Sequence, residues 1–70
     1  REVDFILQSR DDNIGFEVKK TTSVSLSHAK TLIEARREGL IKEGYVLFDG
    51  EGKQQLSEDV FALGLSSLVP

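Results

Sequence analysis

Seventy residues suffice for one small domain, and a chain of this size buries only about 60% of its unfolded surface, so little of its apolar content can be wasted. The absence of cysteine excludes disulfide staples and thiolate metal sites, and 39% apolar with 30% charged residues excludes a disordered chain. A formal net charge of −3 argues against a surface that grips nucleic acid through its phosphates, and no apolar run approaches the roughly 18 residues of a membrane helix.

Glu2 to Ser9 reads as a strand, with Val3, Phe5 and Leu7 on one face and Asp4, Ile6 and Gln8 on the other. Arg10-Asp11-Asp12-Asn13 is a polar turn. From Ile14 to Thr21, Ile14, Phe16 and Val18 alternate with Gly15, Glu17 and Lys19, the period of a half-buried strand. The two segments predict an antiparallel hairpin.

The run Thr21-Thr22-Ser23-Val24-Ser25 is rich in capping oxygens. Ser25 is the preferred N-cap and Ser23 the alternative, with Val24 placed to staple onto Ala29. The period then becomes helical. Leu26, Ala29 and Ile33 share a face with Leu32 beside it, while Lys30, Glu34, Arg37 and Glu38 face outward or flank it. Gly39 fits a C-cap, and Leu40 is placed to fold back onto the last turn.

Lys42-Glu43-Gly44 is a short connection to a third strand, Tyr45 to Phe48. Asp49-Gly50-Glu51-Gly52 is the most site-like run. It lacks the Lys and Ser/Thr spacing of a phosphate loop and the ligand series of a calcium loop, so it reads as a β-turn. Lys53-Gln54-Gln55 is a short fourth strand. Ser57 then reads as the N-cap of a one- or two-turn helix. Glu58 and Asp59 sit at its dipole, Val60, Phe61 and Leu63 form its apolar side, and Gly64 ends it. Ser66 to Pro70 reads as a last strand, and Leu68-Val69-Pro70 also resembles the start of a thrombin cleavage tag. A helix between the second and third strands must cross one sheet face and leave the other open, which predicts an α+β two-layer sandwich.

The hairpin and capped helix in "DFILQSRDDNIGFEVKKTTSVS", then "YVLFDG" and "LSEDVFALGL", resemble the ubiquitin-like β-grasp superfamily over nearly the whole chain. Phe48-Asp49-Gly50 looks like the family's Phe-x-Gly turn, and Leu56-Ser57-Glu58 like its Leu-Ser-acidic helix start. "VLFDGEG" and "SEDVF" also look similar to CIDE-N domains of the same superfamily. The resemblance implies a mixed four- or five-stranded sheet packed on one main helix, with a short second helix. It also implies partner binding through a patch on the third strand, at Leu47, with Val46 and Phe48 turned to the core. The chain lacks the terminal Gly-Gly of a conjugated modifier, and the position matching the hairpin-turn part of the patch is polar, Arg10 or Asp11.

No catalytic set emerges. His28 has no sequence partner other than capping serines, and with no second histidine and no cysteine it offers no zinc site. Glu58 and Asp59 are adjacent, so on a helix they diverge. No cofactor and no metal are expected. The expectation is therefore one non-catalytic domain over residues 1–70, excised from a longer intracellular protein of cytoplasm or nucleus. It docks a protein partner through Leu47 and Tyr45, with Lys19, Arg36 and Arg37 as charged rim residues. Two other readings stand beside it. One is charge-driven self-association of Lys19, Lys20, Lys42, Arg36 and Arg37 with Glu58, Asp59, Asp49 and Glu51. The other is nucleic-acid binding by Lys19, Lys20, Arg36, Arg37 and Lys42.

Overall fold

The computed structural model describes residues 4–9 and 11–68. The expectations for Glu2, Val3, Arg10, Val69 and Pro70 lie outside that range. Strand β1 (Phe5–Ser9) pairs antiparallel with β2 (Asp12–Lys19), in a register that runs from Phe5↔Phe16 to Ser9↔Asp12. A 3-10 turn (Leu26–Ala29) leads into helix α1 (Lys30–Arg37), followed by β3 (Glu43–Phe48), β4 (Lys53–Ser57), β5 (Val60–Gly64) and a final 3-10 turn (Leu65–Leu68). The sheet runs in the order β1-β2-β3-β5-β4, with β3 parallel to both β2 and β5 and an antiparallel pair at each edge. The domain is thus a small α+β unit with a mixed five-stranded sheet and one helix.

The helix crosses between β2 and β3 because both ends of the crossover are capped. The Ser25 amide donates to His28 Nδ1 at 2.9 Å, and the His28 amide donates to the Ser25 carbonyl at 3.0 Å, so Ser25 is the entry point. His28 is a capping partner there. At the other end, the Leu40 amide reaches the Ala35 carbonyl and the Gly39 amide reaches the Arg36 carbonyl. With Gly39 at φ 81°, this is a Schellman turn. The chain reverses there, and it is Ile41 rather than Leu40 that enters the core, where it is 3% exposed.

Ala29, Leu32, Ala35, Ile41, Val46 and Val60 form the buried cluster, with Val24, Ile33 and Leu56 packed at its border. The expected helix stripe is rotated. Leu26 is 59% exposed, and Leu32 is fully buried at the centre. The turn over Leu26–Ala29 is 3-10, so α1 begins later and its phase is set by Leu32 and Ala35. Beneath Leu32 and Ile41 lie Gly15 and Gly44, paired across β2 and β3. A Cβ on either would stand 3.0–3.1 Å from those side chains, so glycine lets the helix sit close.

Two elements near the C-terminus differ from the sequence expectation. Ser57 to Gly64 forms no helix; Val60–Gly64 is β5. Glu58-Asp59 is the two-residue turn of a β4–β5 hairpin, and Asp59 takes φ 59°, a left-handed backbone that aspartate tolerates better than most residues. A short unbroken apolar run does not distinguish strand from helix by period, and here pairing with β3 on one side and β4 on the other decides for strand. The expected last strand is instead the 3-10 turn Leu65–Leu68 in its described part. That turn is held by the Ser66 amide and hydroxyl on the Gly50 carbonyl and by the Gly52 amide on Ser67 Oγ. The Asp49–Gly52 segment is therefore a backbone clasp.

Candidate functional site

Alternation sorts the sheet into two unlike faces. Gly15, Glu17, Gly44, Val46, Phe48, Val60, Ala62 and Gly64 are buried, while the intervening residues are partly or fully exposed. Ile14, Phe16 and Val18, the apolar set of β2, therefore point away from the helix, and Val18 is 45% exposed. Tyr45 and Leu47 take the same open face, with Val46 and Phe48 inward, as the alternation of the third strand requires.

The open face is ordered by a ladder of rings. Phe5, Phe16, Tyr45 and Phe61 occupy matched positions on β1, β2, β3 and β5. Neighbouring centroids are 4.9, 5.7 and 5.6 Å apart, with interplanar angles of 13°, 21° and 25°. The spacing follows that of the strands, so each ring leans on the next. Such pairs contribute roughly 0.5–1.5 kcal/mol each beyond their buried area. Lys53 from β4 closes the row, its Nζ 4.8 Å from the Phe61 centroid and 5.9 Å from that of Tyr45. Tyr45 Oη donates to Glu43 at 3.4 Å. Burial of the phenol, then the neighbouring Glu43 carboxylate, raises the Tyr45 pKa above its ordinary value. Phe5 and Leu7 remain 49% and 56% exposed, so the apolar ridge continues to the β1 edge.

The three expected rim cations lie elsewhere. Arg36 belongs to α1 and holds the β4–β5 turn: its Nη2 is 2.6 Å from Asp59 Oδ2 and 3.1 Å from Glu58, and its Nε is 3.0 Å from Asp59. Arg37 borders a shallow groove on the outer side of the helix with Leu26, Lys30 and Ile33. Lys19 is on the covered side of β2, where its Nζ lies 2.8 Å from Glu17 Oε2. The structure thus brings Tyr45 and Leu47 together and leaves Lys19, Arg36 and Arg37 apart from them.

Sequence reading passed over one group. Glu17 is buried, with its side chain 9% exposed, and its Oε1 has no hydrogen-bond partner among the described residues. Asp4, the residue before β1, lies across from Glu17 when the Phe5↔Phe16 register is continued by one step, and its Oδ2 accepts the Val18 amide at 2.7 Å. Hydrogen bonding to Glu17 and then its charge raise the Lys19 pKa, and the charge of Asp4 adds to the effect. The signal was present as an acidic residue inside the Gly15–Lys19 half of an alternating strand, which the pleat turns toward the helix.

A family model matches residues 1–68. The chain belongs to the DUF4143 family. That family is described as a domain of unknown function, so DUF4143 membership carries no activity with it. No curated protein and no solved structure matches the chain. Among the described residues of this DUF4143 domain, no helix is long and apolar enough to cross a membrane, and no three His, Cys, Asp or Glu side chains gather as metal ligands.

Proposed function

We propose that this DUF4143 domain is a non-catalytic protein-interaction module that docks a partner on the uncovered face of its sheet. The observation that carries this reading is the continuous ring ladder, flanked by Leu7, Val18 and Leu47, on a face that no helix covers among the described residues. All-parallel sheets normally have both faces covered, and the three central strands β2, β3 and β5 of this mixed sheet run parallel. Contiguous apolar surface of this kind marks interaction sites. The partner it suits presents its own apolar ridge, with an acidic group for Lys53.

The two other readings draw less support. The rings face one another, so they offer edges rather than open faces to incoming bases, and the net charge is −3. Arg36 is bonded to Asp59 and Glu58 of its own chain, which removes the central pair from a head-to-tail contact between copies. The ubiquitin-like resemblance expects a short helix where β5 is found, so the proposal stands on the open face and not on that resemblance.

Photocrosslinking tests it. A benzoylphenylalanine at Leu47 crosslinks one partner protein, identified by mass spectrometry, and Leu7→Asp reduces that product at least about tenfold, the effect of a charge buried in an interface. The same group at Arg37, on the helix side, gives no such product. Equal crosslinking from both positions, or a Leu47 product that survives Leu7→Asp, would sink the proposal.

A further inference from the structure

Glu17 presents a chemical inconsistency. A buried carboxylate normally has both oxygens satisfied, because an unpaired buried polar atom costs about 1–3 kcal/mol. Lys19 satisfies Oε2 at 2.8 Å, and Oε1 has no partner among the described residues. A simple surface ion pair would leave the free oxygen in solvent, whereas this side chain is 9% exposed. A second carboxylate is aligned with it. Asp4 immediately precedes β1, and continuing the Phe5↔Phe16 and Ile6↔Gly15 register by one residue places it across from Glu17, on the face that opposed residues of antiparallel strands share. The Val18 amide, 2.7 Å from Asp4 Oδ2, ties Asp4 to the backbone between Glu17 and Lys19. Asp4 is exposed and the Lys19 side chain is 38% exposed, so the group has a solvent-facing side.

We propose that Asp4 and Glu17 together bind a divalent, oxygen-preferring cation of the Mg²⁺ or Mn²⁺ type, with Lys19 as the counter-charge that the cation displaces. Two carboxylates, one fixed by a backbone amide and one held in the covered layer, form a partial oxygen shell. Mg²⁺ and Mn²⁺ accept such a shell, because Mg²⁺ characteristically keeps several waters and takes only one or two protein carboxylates. This explains why no three-carboxylate cluster is needed. It also gives the orphaned Oε1 a partner and gives Lys19 a role as competitor. The proposal is independent of docking on the open face, since Glu17 and Lys19 lie on the covered side.

Mn²⁺ titration of the protein, followed by the loss of the free-ion electron paramagnetic resonance signal, tests it. One Mn²⁺ binds per chain. Glu17→Gln and Asp4→Asn each weaken binding at least about tenfold, while Lys19→Gln tightens it by roughly tenfold because the competing charge is gone. In amide spectra, Mn²⁺ broadens Val18 before Gln54 on the far edge strand. Circular dichroism establishes that each variant is folded. No Mn²⁺ binding by either the wild-type chain or Lys19→Gln, both folded, would overturn the proposal and leave a water as the partner of Oε1. Undiminished binding by Glu17→Gln, or broadening centred on Glu58 and Asp59, would overturn it equally.

Discussion

The two faces of this sheet come from the same strands but follow opposite rules of size. The covered face is made of Gly15, Gly44, Val46, Val60, Ala62 and Gly64, apart from Glu17 and Phe48. The open face carries Phe5, Leu7, Ile14, Phe16, Val18, Tyr45, Leu47, Phe61 and Leu63. Large side chains thus sit where no helix packs among the described residues, and small ones sit under the helix. The covered face is small because Leu32 and Ile41 come down onto Gly15 and Gly44, and because Gly64 lies against the Gly50–Glu51 backbone. Shape is therefore specified tightly on one side and loosely on the other, and each side should answer differently to mutation.

The largest effect belongs to the covered face. Leu32→Ala should cost about 3 kcal/mol, since a fully buried leucine leaves a cavity that a close-packed layer cannot collapse. Gly64→Val should be about as damaging, because its side chain meets backbone that has no rotamer to yield. Urea unfolding monitored by circular dichroism measures both. If either variant lost no more than a surface substitution, the asymmetry between the faces would be gone.

A smaller effect is expected at the helix exit. Gly39→Ala has free space around it but forces a left-handed backbone on a Cβ, for about 1 kcal/mol. On the open face, Leu7→Ser should shift stability by less than about 0.5 kcal/mol while weakening partner binding. That separation of stability from binding is the sharpest way to tell a docking face from a poorly packed core, and the same urea measurement checks it.

The smallest effect is in pH dependence. A phenol whose folded pKa is raised favours the fold while neutral. Its contribution is fully present below the ordinary value of 10.0 and is lost as pH rises through the folded value. Absorbance at 295 nm should show Tyr45 titrating above 10.0, and a partner covering the open face should push it higher still. A midpoint at or below 10.0 would mean that the phenol is wetter than the ring ladder implies.

Much of the first half was legible in the residues. The hairpin, the cap at Ser25 and the exit at Gly39 each depend on residues acting within a few positions of themselves, whereas the Asp49–Gly52 connection is held from Ser66 and Ser67. The outward placement of Leu47 was an expectation of the ubiquitin-like resemblance, and the burial of Val46 and Phe48 on either side agrees with it. The second half was less legible. Ser57-Glu58-Asp59 is an equally good start for a helix or centre for a hairpin, and Arg36, 22 and 23 residues away, holds those carboxylates in the hairpin form. The candidate site was half visible. Tyr45 and Leu47 lie where the alternation puts them, but a ladder through Phe5, Phe16 and Phe61 exists only once the strand order is known.

The sequence by itself determined the local moves of the first half: the β1–β2 hairpin, the entry of the helix at Ser25 and its exit at Gly39. Those are short-range consequences of period, caps and glycine. Only the tertiary structure decided which side of each strand the helix covers, that Val60–Gly64 is a strand, and that Asp4 bonds the backbone between Glu17 and Lys19. These outcomes depend on pairing across the sheet. A strand has two faces of equal backbone cost, and which one is buried is settled by what the rest of the chain lays against it.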